Sequence, residues 1–353
     1  MIESDASMKQ DTAFQPLHLP RHYLQHLMNL VHSRGGDPTL LLQEAEGTPN
    51  DLEQTDAPLS WQQFSSIISK SCELSQEPAL GLYLGSQLTI TTHGLLGVAA
   101  MSSQNLQQAL SLLCHYTVLR NPLLAVSMQL HNQHLHLKLT EVQPLGSIRQ
   151  FVVEAFTVAL HAILDFVSDH RYRLVEVHLA YPEPAYSVLY QAFFPCPLVF
   201  NQASHSLVLN RSDLAIASPW SDPQLQQKMT SECEFELQRW QQQQSVTQQI
   251  QRMLARTKGR IPCIEQVAKE FAVSSRTLRR RLAAEHTHYQ QLVDTWRQQM
   301  ACHYLTSTQL SMQQIAYLLG YADPANFGRA FRRQAGMSPM TYRQQQEGLR
   351  IAG

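Results

Sequence analysis

The chain has 353 residues, which is enough for two domains, and its apolar share of 44% is typical of a globular protein. The net charge of −1 excludes nothing alone, yet residues 245–353 hold 15 Lys and Arg against 6 Asp and Glu, and residues 1–244 hold 12 against 22. A basic segment that follows an acidic one favours a phosphate-binding part beside a part that stays off the phosphates. The six cysteines form no CxxC pair, so they indicate neither a disulfide framework nor a zinc site.

The chain shows no sign of export or of membrane insertion. Its first residues are polar and acidic, without the basic start and apolar run of a signal peptide. No run of 18 apolar residues occurs, and the most apolar stretch, 151–167, is interrupted by Glu154, His161 and Asp165. We therefore expect a cytoplasmic protein without a membrane partner, in which this stretch is a mostly buried helix.

The first part of the chain predicts helices followed by strands. An apolar period of 3.6 from Tyr23 to Val31 ends at Gly35-Gly36, Ser60 is placed to open a second helix, and Ser103 to cap a third that runs to Tyr116. A long helix is expected at 149–167. Strands are predicted at Leu123–Leu130, Leu135–Leu139, Val175–Ala180, Leu198–Phe200 and Ser206–Leu209, the first two as a hairpin. This order of elements predicts an α+β domain.

Polar side chains in this domain suggest a ligand pocket or a metal site. His115, Tyr116 and Arg120 on one helix and Arg149 on the next are candidates for effector binding, although core or surface positions explain them as well. His131, His134 and His136 suggest a metal, but no acidic or cysteine partner lies at a ligand spacing. We expect no metal, no cofactor and no catalytic residues.

A Gln-rich segment, Trp240–Gln249, separates this domain from the basic one. We predict an effector-binding and dimerisation domain at 1–238, a linker at 239–249 and a DNA-binding domain at 250–350. The linker could itself be helical, because Gln is a fair helix former. One continuous helix without a hinge is the alternative.

The basic domain contains two helix-turn-helix patterns about 48 residues apart, Ile264–Leu282 and Met312–Phe331. Each has a small residue where two helices cross, a second small residue at the turn and two apolar residues that anchor the following helix. The matched pairs are Val267 and Ile315, Ala268 and Ala316, Ala272 and Gly320, Leu278 and Phe327, and Leu282 and Phe331. We therefore predict an all-α domain with two recognition helices, joined by a strut helix at 289–305.

The outward side chains of the recognition helices have the chemistry of base readout. Arg binds guanine O6 and N7, Asn binds adenine N6 and N7, and Thr contacts the thymine methyl group. The expected base contacts are Arg276, Thr277, Arg279, Arg280, Asn326 and Arg329. The expected phosphate contacts are Arg332, Arg333 and Arg343, which fix register without reading sequence.

The second motif and the segment that follows it resemble the signature of the AraC/XylS family of bacterial transcription regulators. The matching residues are Ile315-Ala316, Gly320-Tyr321, Asp323, Asn326-Phe327, Arg329, Phe331-Arg332, Gly336, Ser338-Pro339 and Tyr342-Arg343. The chain has Ala272 and Ala325 where the family often has Gly and Ser. The resemblance implies DNA binding through both motifs and regulation of transcription, usually activation.

The first domain resembles the arabinose-binding-like effector domain of one branch of this family. The similar segments are Leu80–Gly85, His93–Gly97, the helix with Leu106 and Leu110, and Pro197–Phe200 with Leu207–Asn210. The resemblance implies a domain that binds an unidentified small molecule and dimerises.

Three functions follow as hypotheses. The first is a ligand-responsive regulator that binds double-stranded DNA as a homodimer and, if it activates, contacts RNA polymerase. The second is a regulator without a small ligand, set by its abundance or dimerisation. The third, an enzyme tethered to DNA, would need an activated cysteine with an adjacent base, and none of the six cysteines lies in such a motif.

Overall fold

A computed structural model describes residues 21–44, 59, 61–243, 245–257, 261–308 and 310–351, and the chain divides into two compact units, Met1–Gln76 and Glu77–Gly353. In the first unit, α1 (Arg21–Ser33), α2 (Thr39–Glu44) and α3 (Trp61–Ser75) bury a small apolar cluster. Leu30, Val31, Leu41 and Ile67 are its most buried members. The predicted end of α1 at Gly35 is confirmed, whereas Ser60 lies outside the described residues.

The second unit begins with an α+β region, as predicted. Its helices are α4 (Leu80–Gln87), α5 (Gly94–Met101), α6 (Leu106–Tyr116) and α7 (Arg149–Val167). Gly81 and Gly85 let α4 lie against α7, because a Cβ atom at either position would come within 2.6 Å of a carbonyl oxygen of α7. The predicted helix at 149–167 is confirmed and forms the centre of the core.

The strands form one mixed sheet in the order β1-β2-β5-β3-β4. They are β1 (Leu124–His131), β2 (His134–Glu141), β3 (Leu174–His178), β4 (Leu198–Val199) and β5 (His205–Asn210). The predicted hairpin is confirmed, with His131 paired to His134 across the turn. In β2, Leu135, Leu137 and Leu139 are buried, while the alternating positions are more exposed, so one face of the sheet covers the core and the other is polar.

Two local predictions need correction. Helix α6 is capped by the Asn105 side chain, which accepts a bond from the Gln108 amide at 2.9 Å, and not by Ser103. The Ser103 hydroxyl instead donates to the Ala99 carbonyl at 3.0 Å, at the end of α5. Both residue types are good caps, so the local sequence alone does not decide between them.

The Gln-rich segment is helical on both sides of Gln244. Helix α8 (Pro223–Gln243) packs against α5, and α9 (Val246–Arg256) starts at a capping box of Ser245 and Gln248. The Arg252 guanidinium, in the middle of α9, lies 3.6 Å from the centre of the Trp240 ring, so α9 packs back against the end of α8. The described residues therefore show neither an extended linker nor one uninterrupted helix.

The remaining helices form the predicted all-α part. They are α10 (Ile264–Glu270), α11 (Ser275–Ala284), α12 (Tyr289–Ser307), α13 (Met312–Leu318), α14 (Pro324–Ala335) and α15 (Pro339–Ile351). One apolar cluster runs from Ile250 and Leu254 of α9 through both helix-turn-helix motifs to Phe331. The motifs share this core, so α11 and α14 pack on the same apolar cluster.

One helical stretch among the described residues, Gly146–Val167, is long and apolar enough to cross a membrane. It contains α7, and 67% of its most apolar window is buried within the protein's own fold. It is therefore used as a core helix in this structure.

Candidate DNA-binding surface and ligand groove

The first recognition helix is α11. Leu278 and Leu282 are both fully buried, which fixes its orientation and leaves the other side of the helix in solvent. The Ser274 side chain caps it by accepting from the Thr277 amide at 3.1 Å. The turn before it places Ala272 at φ 51°, a left-handed conformation that costs an alanine about 1 kcal/mol or more.

The arginines of α11 differ in whether their guanidinium groups are already paired with an acidic side chain. Arg276 and Arg280 are exposed, as the sequence predicted. Arg279 is exposed too, but its guanidinium is paired with Glu265 of α10 at 3.2 Å. The Thr277 hydroxyl bonds the Ser274 hydroxyl at 2.9 Å. Arg276 and Arg280 can therefore meet a base directly, whereas Arg279 must first exchange its acidic partner.

The second recognition helix, α14, starts as predicted. The Asp323 carboxylate accepts from the Asn326 amide at 2.7 Å, Pro324 occupies the first turn, and Gly336 ends the helix at φ 75°. Phe327 and Phe331 are buried, which leaves Arg329 exposed. The positions that the sequence assigned to the core and to the surface are thus confirmed.

The Asn326 side chain is occupied at both ends. Its amide nitrogen donates to Asp323 at 2.6 Å, and its oxygen accepts from Arg329 at 2.7 Å. Each end keeps one further position, the second N–H and the second oxygen lone pair, so these contacts do not exclude a bidentate bond to adenine. In the free protein this chain of bonds orients the Arg329 guanidinium.

The three expected phosphate contacts divide into two groups. Arg332 and Arg333 are exposed at the end of α14. Arg343 of α15 donates instead to the backbone carbonyls of Leu305 at 3.2 Å and Leu310 at 2.8 Å. It therefore closes the end of α12 and the loop after it, which corrects its assignment as a phosphate contact.

Sequence reasoning missed two residues that position the motifs. Arg297 of α12 donates to the Leu319 carbonyl at 3.1 Å and lies 4.6 Å from the Tyr321 ring centre, which fixes the turn of the second motif on the strut. Glu285, just after α11, accepts from the backbone amides of Val246 and Thr247 at 2.8 and 2.9 Å. Nothing in the local sequence connects these partners.

Burial raises the pKa of Glu285, but bonds from Thr247, Val246 and Ser245 outweigh it and hold the pKa below its ordinary value of 4.5. The carboxylate therefore acts as an anionic cap at the start of α9.

The four candidate effector residues do not form one pocket. Tyr116 donates to Glu234 of α8 at 3.1 Å, His115 lies 3.9 Å from the same carboxylate, and Arg120 pairs with Glu236 at 3.4 Å. Burial, and then the bond to Glu234, raise the pKa of Tyr116 to about 12. These three residues attach α6 and the turn after it to α8, which corrects their assignment as a joint ligand pocket.

Arg149 is elsewhere, at the rim of a groove that we call the sheet–α12 groove. Its volume is about 1140 Å³; the polar face of the sheet lines it through Ser127, Lys138 and Thr140, and α12 lines it through Trp296, Met300 and His303. Arg149 donates to Glu141 at 2.5 Å and lies 3.2 Å from the His205 ring nitrogen. His115 lines the same groove, whereas Tyr116 and Arg120 do not.

The histidines and cysteines favour no reaction centre. His136 stacks edge-on against His131 and His178, and within the described ranges no group of three or more His, Cys, Asp or Glu could hold a metal ion. Burial raises the pKa values of Cys114, Cys196 and Cys233 to about 11. A raised pKa opposes the thiolate that a cysteine nucleophile needs.

This architecture, with two capped recognition helices on one core behind an α+β domain that carries a groove, is that of a helix-turn-helix transcription regulator. The family model for the arabinose-binding domain of AraC transcription regulators matches residues 35–217, and a helix-turn-helix domain model matches residues 267–345. The chain belongs to the AraC family of transcription regulators. It has an N-terminal ligand-binding domain and a C-terminal DNA-binding domain.

The similarity extends over whole relatives. The chain is 33% identical over 337 residues to the ornithine utilization regulator of Pseudomonas aeruginosa, a match that covers 96% of this chain and 99% of the relative. It is 26% identical to the regulator VqsM of the same species, over 82% of this chain and 88% of VqsM. The crystal structure of CdpR, also from Pseudomonas aeruginosa, is 21% identical and aligns over 94% of this chain and 100% of CdpR, with a TM-score of 0.47.

Proposed function

We propose that the protein is a transcription activator that reads two segments of one DNA face with α11 and α14 and is controlled by a small molecule held by its N-terminal domain. The observation that carries this proposal is the pair of recognition helices with exposed Arg280 and Arg329, fixed by one shared core. Helix α12, which separates the motifs, has 19 residues. At about 1.5 Å per residue it is roughly 28 Å long, near the roughly 34 Å repeat of the major groove.

The DNA contacts can be tested one helix at a time. Selection from a random DNA pool gives the operator, and Arg280→Ala and Arg329→Ala should then each weaken operator binding by roughly 1–3 kcal/mol. Each variant should relax base preference at its own position, and the two positions should lie about one helical turn apart. Arg276 and Arg279 are proposed as further base contacts, and Arg332 and Arg333 as phosphate contacts.

A matched control is Arg211→Ala, which removes the same charge from an exposed position in the N-terminal domain. It should leave operator affinity and base preference unchanged. Equal losses on operator and random DNA for Arg280→Ala and Arg329→Ala would assign both arginines to phosphates and overturn their role in base readout.

The sheet–α12 groove is the proposed seat of the ligand. It joins the polar face of the sheet to α12, the helix that carries the second motif's turn through Arg297. The relative from Pseudomonas aeruginosa is named for ornithine utilization, so amino acids are the first compounds to test. If a ligand tightens operator binding, operator DNA must tighten ligand binding by the same factor.

Calorimetry of a ligand with the free protein and with the protein–operator complex measures this factor. Equal affinities in the two titrations would support the alternative, a regulator set by its abundance.

We further propose a cytoplasmic homodimer that contacts RNA polymerase, because two copies gain avidity on a two-part operator. A monomer by sedimentation at micromolar concentration, with and without operator DNA, would contradict the dimer.

A further inference from the structure

The hydrogen bonds around His205 cannot all be satisfied by the protein. The backbone amide of Ala180 donates to Nδ1 of His205 at 3.1 Å, so Nδ1 must present its lone pair. A neutral imidazole then carries its proton on Nε2. Nε2 lies 3.2 Å from Nη2 of Arg149, which can only donate. Two donors therefore face each other, and both lack an acceptor in this contact.

Protonation of His205 would not resolve the conflict. A charged imidazole has no acceptor at all, and Ala180 would then lose its partner. Burial first, and then the charges of Arg149 and His303, lower the pKa of His205 to about 3, so the ring is neutral at physiological pH. The Nε2–H group and the guanidinium thus remain together as a pair of donors.

This pair of donors lies on the sheet–α12 groove. Arg149 and His205 both line the groove, and Trp296 lines it from α12. Trp296 is only 9% exposed, and its buried indole nitrogen has no hydrogen-bond partner. An indole N–H is a donor only, so a second residue of the groove lining carries an unmatched donor, although its nitrogen is itself buried.

We propose that Arg149 and His205 form the carboxylate-binding subsite of the ligand groove, and that the ligand is a small carboxylic acid. This inference rests on the proposed ligand-controlled function and names the chemical class of the effector. A carboxylate oxygen that lies beside the two nitrogens, within hydrogen-bond distance of each, accepts from both, and bonds from a guanidinium to a carboxylate are the strong, charge-assisted kind. The body of the ligand then extends towards Trp296 and Met300.

Glu141 holds Arg149 in place and also competes with the ligand. Its side chain is 11% exposed and that of Arg149 is 14%, so the pair is largely shielded from water. Arg149 uses Nε for Glu141 and has Nη2 directed at His205. The guanidinium therefore keeps donors for a second carboxylate, and loss of the Glu141 charge should make that second carboxylate bind more tightly.

The test uses the full chain labelled with ¹⁵N-histidine, titrated with acetate and benzoate and, as uncharged matches, acetamide and benzamide. The expected result is a saturable shift of the His205 Nε2 resonance with both carboxylates, and affinities roughly tenfold weaker or worse for the amides. Glu141→Gln should tighten carboxylate binding. The double variant Glu141→Gln/Arg149→Met, which leaves no unpaired buried charge, should abolish the shift.

The variants also separate this inference from the proposed function. Operator binding by each variant, measured without carboxylate, shows whether the DNA-binding part is intact. Absence of a His205 shift up to about 0.1 M, where even millimolar affinities would saturate the site, overturns the carboxylate subsite. So does an equal response to the amides or in the double variant. Such results leave a DNA-binding regulator standing, whereas failure to select any operator overturns the proposed function itself.

If the double variant does not fold, the comparison of Glu141→Gln with the unaltered chain still shows whether the carboxylate subsite exists. Tighter carboxylate binding supports the subsite, and weaker binding shows that Glu141 and Arg149 act only as a structural pair.

Discussion

Glu265→Gln should increase DNA affinity, because it releases Arg279 from the ion pair that holds it in the free protein. The two charged groups are 3.2 Å apart, and both side chains are 61% exposed. A pair this exposed is worth about 0.2–1 kcal/mol, which corresponds to a gain of about 1.4-fold to fivefold in operator affinity. Fluorescence anisotropy with labelled operator at low and physiological salt measures the gain.

The matched control is Glu270→Gln, which makes the same charge change at an exposed position of the same helix. A double-mutant cycle completes the design, since Glu265→Gln should have little effect once Arg279 is replaced by Ala. An equal gain from Glu270→Gln, or an unchanged gain in the Arg279→Ala background, would refute release of Arg279 as the cause.

Two further predictions concern stability. Ala272→Gly should stabilise the DNA-binding domain by about 0.5–1 kcal/mol and Gly320→Ala should destabilise it by about 1 kcal/mol, because both positions require positive φ, 51° and 71°. Hydrogen exchange of α10 and α11 reports the first change, and that of α13 and α14 reports the second. A change of stability in the same direction for both variants would contradict this prediction. Glu285→Gln should cost about 1 kcal/mol at neutral pH through the lost cap. Because the pKa of Glu285 is lowered on folding, its contribution is present above pH 4.5 and is lost as pH falls below that value, so urea unfolding of the two proteins should converge in acid.

The sequence was most informative where packing and local hydrogen bonds decide the structure. Leu278 and Leu282, like Phe327 and Phe331, lie four residues apart, so one face of each recognition helix must be buried. The cap at Asp323 is equally local. For the same reason the alternation of β1 and β2 predicted the hairpin.

Contacts between distant segments could not be predicted in this way. Arg343 carries the charge and the position of a phosphate contact, yet it closes α12 through carbonyls 33 and 38 residues away. Arg149 finds its partners on β2 and β5, and only the order of strands in the sheet brings them together. The sequence pattern can therefore place a charged residue on the surface, but its partner can be identified only once the fold is known.

Control of DNA binding requires a ligand that distinguishes two arrangements of the protein, since equal affinity for both shifts nothing. A ligand in the proposed sheet–α12 groove would contact the N-terminal domain and α12 at once, so its affinity can differ between two arrangements. Helix α12 shares an apolar core with both recognition helices, so a shift of α12 acts on the packing of both. Typical couplings between two sites amount to about 1–3 kcal/mol, and one charge-assisted bond lies within that range. A carboxylate whose bond to Arg149 and contact with α12 form together in only one arrangement therefore has enough differential affinity to shift both recognition helices relative to the sheet.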